Sequence, residues 1–240
     1  MSIPTIGSYI RYQFFLPTLM AGPINRIQHF ERQCARRRWD ATEFFSGAER
    51  ALFGGALVVI VGGYALARAI GSLNAEFGDS QSFAQAWLVS AVRWLQLYAT
   101  FAGLTDIALG LSLMMGLQLE ENFNEPWRAR NLIEFWRHWH MTLSFWCRDY
   151  VFAPVAALTH SAIVGVVIAM LVLGLWHETS FYYVFWAVWQ ALGIIITQMY
   201  IKRGDPLGLK RLPEPMKMFA GPVSVLAWLS LTWPVAAAIA

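Results

Sequence analysis

Residues 122–154 read NFNEPWRARNLIEFWRHWHMTLSFWCRDYVFAP, and they decide how the rest of the chain is read. Four arginines, the acids Glu125, Glu134 and Asp149, His138 and His140, and four tryptophans fall between long apolar runs. A simple membrane anchor has no use for such polar density. Pro126 suits the start of a helix, and residues 131–147 are predicted to run as one amphipathic helix. On it Phe135, Trp139 and Leu143 share one stripe, and Trp136, His140 and Ser144 the next. Such a helix lies at the interface or dips into the protein with its tryptophans at headgroup depth.

Outward from this stretch the composition sets the solvent. The chain of 240 residues is 57% hydrophobic and 14% charged, with a mean hydropathy of +0.45, which indicates an all-α polytopic membrane protein. The net charge of +3 sits in short clusters, Arg36-Arg37-Arg38 and Lys202-Arg203, that flank apolar runs. Basic flanks of this kind orient spans, so the clusters read as cytoplasmic markers and nucleic acid is excluded as a partner. Cys34 and Cys147 are far apart and form neither a disulfide framework nor a zinc motif.

Residues 8–24 are apolar but interrupted by Arg11, Pro17, Gly22 and Pro23, so an interfacial or re-entrant segment is expected. Residues 26–49 read as cytoplasmic and 51–70 as a span of about twenty residues, close to what a hydrocarbon core of about 30 Å requires. Residues 72–83, with Glu76, Asp79 and no Lys or Arg, belong outside. The return, 84–117, is longer than one span needs, so its helix either projects or bends near Gly103. Arg93 reads as a snorkelling residue near an interface. Residues 155–176 and 181–200 make two further crossings, 202–217 is basic, and 219–240 is a last apolar run. The expectation is about five transmembrane helices plus interfacial or re-entrant ones, in a single membrane-embedded domain over 1–240. Residues 1–7 lack a basic leader, so insertion is expected to depend on the internal spans.

His177 is the sharpest single residue, an imidazole beside Glu178 between the apolar 171–176 and the aromatic 181–189. Desolvation there would keep it neutral and able to accept a proton, the profile of a general base. His138 and His140 are two apart and cannot share a metal as an i, i+4 helical pair can. No metal site is predicted, because His140, His177 and Glu178 follow no ligand spacing. Asp106, ionisable at membrane depth, either walls a polar site or pairs with an arginine. There is no nucleophile elbow and no phosphate loop. The residues alone fit a membrane enzyme and a transporter with a proton relay equally well.

Three tracts change this balance: FFLPTLMAGPINR at 14–26, LTDIALGLSLMMGLQLEENFNEP at 104–126, and EFWRHWHMTLSFWCRDYVFAP at 134–154 followed by Gly174-Leu175-Trp176-His177. Together they resemble the membrane-bound O-acyltransferase family, especially its bacterial alginate O-acetylation branch, over roughly residues 14–200. The resemblance implies transfer of an acyl group, acetyl in that branch, from a thioester to a hydroxyl of a cell-envelope polysaccharide. It assigns His177 as the base and His140 as the second histidine, which stabilises the oxyanion or holds the acceptor. Asp106, Asn124, Arg137 and Trp176 are implied substrate-side or supporting residues. It implies no tightly bound cofactor and an acetyl-CoA or acyl-carrier-protein thioester as co-substrate. The implied setting is multi-pass in the bacterial inner membrane, within the lipid bilayer and with periplasmic or membrane partner proteins. The chain departs from the family pattern in having Glu178 where glycine is usual and Gln190-Ala191 where His-Gly is usual. The loop after Asp149-Tyr150 is shorter, and the chain is about half the usual length. These departures raise the alternatives of a fragment of a longer frame, a part completed by partners, or an inactive remnant or assembly subunit.

Overall fold

The computed structural model describes residues 5–19, 22–78, 81–204 and 213–239; Asp79 and much of the basic 202–217 stretch lie outside them. Every regular element among the described residues is helical, and the chain divides into two compact units. The first comprises Met1–Ser72 and Leu95–Asn122, the second Leu73–Trp94 and Phe123–Ala240.

In the first unit, α1 (Ile6–Gln13) and α2 (Leu16–Leu19) are short, as Pro17 and the flanking polar residues require. With α3 (Ile27–Arg36) they form a small aromatic cluster in which Phe30 meets Phe15 at 5.0 Å and Tyr12 at 5.8 Å. Asp40 caps α4 (Ala41–Ala56) by accepting from the Glu43 N–H at 2.9 Å. The helix continues through a π-helical stretch, Leu57–Leu66, into α5 (Ala67–Phe77), 37 residues in all. α6 (Phe83–Met114) runs unbroken through Gly103 for 32 residues, roughly 48 Å at 1.5 Å per residue. One continuous helix, longer than a hydrocarbon core of about 30 Å requires, accounts for the long apolar run.

Glycine explains how these two helices meet. Gly47 and Gly54 on α4 are seven apart, as are Gly103 and Gly110 on α6. A Cβ on Gly47 would lie 2.6 Å from the Gly110 carbonyl oxygen, and one on Gly54 2.5 Å from that of Gly103. The backbones therefore touch along a seam, the way small residues let helices associate where apolar burial supplies no drive.

The second unit holds α7 (Leu132–His138), α8 (Met141–Cys147), α9 (Ala153–Thr159), α10 (Ala162–His177), α11 (Phe181–Lys202) and α12 (Glu214–Ile239). Residues 131–147 are thus two helices, not one. Trp139 is extended and His140 left-handed (φ 42°), which ends the single stripe expected there. The run 155–176 is likewise divided at His160, φ 50°. α10 and α11 pack closely because Gly174 has no Cβ to strike the Tyr183 carbonyl oxygen, 2.6 Å from where one would stand. α12 is held by Trp189 stacked on Trp228 at 4.5 Å and by the indole N–H groups of Trp87 and Trp94, which donate to Ser230 Oγ and the Leu229 carbonyl. Arg93 lies over Trp233 at 5.9 Å, a cation–π contact.

Among the described residues, four helices are long and apolar enough to cross a membrane: Ala41–Phe77, Phe83–Met114, Phe181–Lys202 and Met218–Ile239. The fifth expected crossing, α10, is a shorter apolar helix of 16 residues, roughly 24 Å. The protein is an all-α polytopic membrane protein.

Candidate active site

The centre of the second unit is the turn between α7 and α8. Asn131 caps α7 by accepting from the Glu134 N–H at 2.9 Å, and the Trp139 N–H closes the helix on the Phe135 carbonyl at 2.8 Å. Trp139 is then fixed by three rings, stacking on Phe135 at 5.4 Å and meeting Phe123 at 5.1 Å and Trp94 at 5.6 Å edge to face. With Trp139 anchored, the chain reverses through the left-handed His140, whose carbonyl accepts from the Ser144 N–H at 2.9 Å to start α8. A non-glycine residue in this conformation is uncommon, though histidine tolerates it better than most. The turn carries the imidazole of His140 away from the stripe of a continuous helix.

His140 is largely buried and lies outside the spanning helices. Burial first, and the neighbouring His177 second, push its pKa down to about 4. The imidazole is therefore neutral near pH 7, able to accept a proton on one nitrogen and donate from the other.

His177 ends α10. Its ring stacks on Tyr183 at 5.5 Å, with Trp176 at 4.9 Å and Trp186 at 6.0 Å edge to face. Ser180 caps α11, its Oγ accepting from the Tyr183 N–H, so the phenol ring is positioned by the cap itself. The apolar flanks imply a desolvated imidazole, yet Leu175 to Thr179 are all exposed among the described residues. Aromatic rings hold His177 on some sides and leave it reachable on another. Trp186 also meets Trp136 at 5.9 Å, so the rings run without a break from the His140 turn to His177.

Two histidines far apart in sequence thus lie near enough for their charges to interact, one neutral and largely buried, one at an accessible rim. The pair can receive a hydroxyl at the rim, take its proton, and offer a second N–H to developing negative charge. Among the described residues no three His, Cys, Asp or Glu side chains converge as metal ligands. Cys147 is buried, and burial pushes its thiol up to about 11, so it is no thiolate nucleophile.

The remaining expected site residues scatter. Trp176, 63% exposed, stands beside His177. Asn124 has an exposed side chain, and its N–H donates to the His138 carbonyl at 3.1 Å, tying the 123–125 loop to the end of α7. Arg137 makes no ion pair among the described residues and lines a cavity of about 280 Å³ together with Trp136, Cys147, Arg148, Leu173 and Gln198. Neither histidine lines that cavity. Asp106 belongs to the first unit and fulfils the structural expectation: Arg50 Nε donates to it at 2.9 Å while the two Nη groups hold Glu121 at 2.7 and 2.6 Å. Gln190 is fully buried against α12, donating to Thr232 Oγ1 at 3.4 Å. Tyr183 and Trp186 are the partners that sequence reading missed. Their i, i+3 spacing on one face of α11 is a signal, but only the register of α10 against α11 aims that face at His177.

Residues 1–229 match the membrane-bound O-acyltransferase family. The chain is 30% identical over 236 residues to a teichoic acid D-alanyltransferase of Streptococcus thermophilus, covering 88% of this chain and 56% of that protein. It is 34% identical over 186 residues to a probable alginate O-acetylase of Pseudomonas aeruginosa, covering 75% and 35%. A peptidoglycan O-acetyltransferase of Helicobacter pylori is 28% identical over 202 residues, covering 80% and 37%. The chain therefore spans between about a third and just over half of the length of these relatives, and it belongs to the membrane-bound O-acyltransferase family.

Proposed function

We propose that this chain carries the two-histidine centre of a bacterial inner-membrane O-acyltransferase that acylates a hydroxyl of a cell-envelope polymer. The acyl group in this reading is acetyl, delivered as a thioester of coenzyme A or an acyl-carrier protein. The observation that carries it is the convergence of His140 and His177, the former enclosed and neutral, the latter ringed by Trp176, Tyr183 and Trp186. The relatives' names support the substrate class, since they act on alginate, peptidoglycan or teichoic acid. Acetyl in place of alanyl follows the alginate and peptidoglycan relatives.

In the mechanism, the hydroxyl approaches at the Trp176 rim and gives its proton to His177 as its oxygen attacks the thioester carbonyl. His140 stabilises the oxyanion by an N–H donor, and the thiolate leaves with the proton held by His177. Removing one such donor typically costs about 10²–10³ in rate. His177→Ala in the full membrane assembly is expected to abolish acylation of the polymer while the protein accumulates normally. Unchanged acylation in that variant would favour a non-catalytic assembly subunit instead. For that reading, disruption of the α7 ring cluster at Trp136 and Trp139 would matter more than His177.

A further inference from the structure

The cavity beside α7 and α8 is separate from the histidine pair and has its own chemistry. Its walls are hydrocarbon from Ile133, Val166, Ala169, Met170, Leu173 and Ile194. Its charged groups are both cations, Arg137 and Arg148, beside the neutral polar Trp136 indole, Ser144, Cys147 and Gln198. Among the described residues, Arg137 is exposed and has no hydrogen-bond or ion-pair partner, and the Trp136 indole N–H is buried without an acceptor. Arg148, also on the cavity, spends its Nε on Asp149 Oδ1 at 2.8 Å and lies over the Phe145 ring at 5.0 Å, leaving its Nη groups. No carboxylate lines the cavity.

Charge and volume together select an occupant. Arg137 and Arg148 against the single carboxylate of Asp149 leave one positive charge at the mouth, the complement of a phosphodiester monoanion. A choline headgroup would bring a second cation to the same place. About 280 Å³ falls just below the roughly 300 Å³ at which pockets begin to enclose a whole small ligand, so the space takes a stretch of acyl chain and leaves the headgroup outside. Basic pockets between membrane helices bind anionic headgroups on this principle. Neither histidine lines the cavity, and an acetyl group has no chain to lodge there.

We propose that this cavity is a structural lipid site, holding one acyl chain of an anionic phospholipid of the phosphatidylglycerol type with its phosphate on Arg137 and Arg148. The site joins α7 and α8 to α10 and α11 through the lipid tail. It does not depend on the acyltransferase reading.

Native mass spectrometry of the protein, extracted in mild detergent and supplied with equal phosphatidylglycerol and phosphatidylcholine, tests it. One phosphatidylglycerol per chain is expected to be retained, at least tenfold over phosphatidylcholine. Arg137→Gln with Arg148→Gln should lose that preference, and Ala169→Leu, which fills the cavity, should lose the lipid altogether. Arg203→Gln, which is not among the residues lining the cavity, should change nothing. Equal retention of the two lipids, retention unchanged in the double glutamine variant, or equal loss in Arg203→Gln would overturn the proposal. Displacement of the lipid by an acyl-pantetheine thioester would also overturn it, because the cavity would then be a donor site. Should Ala169→Leu fail to fold, the glutamine pair still decides.

Discussion

His140 combines two costs in one position. A left-handed backbone at a non-glycine residue is unfavourable by about 1–3 kcal/mol, and an enclosed imidazole resists protonation. His140→Gly separates them: thermal stability in detergent is expected to hold or rise, because glycine accepts φ 42° freely, while acyl transfer is lost. His140→Val should lose both, and full transfer in the glycine variant would remove the imidazole from the mechanism. The pH dependence follows from the pKa of about 4 against 6.5 for an ordinary histidine. Between these values the unfolded chain binds a proton that the folded one does not, so stability is full above pH 6.5 and declines as pH falls toward 4. The slope is at most about 1.4 kcal/mol per pH unit. Unfolding measured across that range should show the decline in the parent protein and a flatter profile in His140→Gln.

Helices were the legible elements, because hydropathy and basic flanks mark where apolar runs begin and end. The break at His160 was legible as a weak point of its apolar run, a polar residue among aliphatic ones, whereas the break at His140 was not, since neither glycine nor proline stands there to punctuate a helix. At His140 it is the tertiary capture of Trp139 by Phe123, Phe135 and Trp94 that turns the chain. The seven-residue glycine spacing on α4 and α6 was visible in the sequence, but only the packed pair gives it meaning. The seam makes a sharp prediction. Gly54→Leu or Gly103→Leu would drive a side chain into the facing backbone, an overpacking that costs more than the usual 1–3 kcal/mol because main chain cannot step aside. Both variants should fail to accumulate in membranes. Gly55→Leu, one residue away with nothing within 4 Å of its Cβ, should accumulate like the parent. Equal accumulation of Gly54→Leu and Gly55→Leu would show the seam to be dispensable.

At the scale of the whole molecule the question is which face of the membrane His177 serves. In the proposed reading the basic end of α11 at Lys202-Arg203 is cytoplasmic, so the turn between α10 and α11, Glu178 to Ser180, falls on the outer side. An envelope polymer is met on that side, whereas a coenzyme A or carrier-protein thioester is made in the cytoplasm. An exposed His177 beside a short α10 is where the two would meet. With Cys34→Ser and Cys147→Ser as background, Thr179→Cys places one thiol two residues from His177 on an exposed turn. A membrane-impermeant maleimide is expected to label it in intact spheroplasts and, once attached, to stop polymer acylation. Labelling that requires permeabilisation would put His177 on the cytoplasmic face and would demand that the polymer be acylated before export. Labelling in intact spheroplasts without loss of transfer would keep the topology but move the acceptor's approach away from the Trp176 rim.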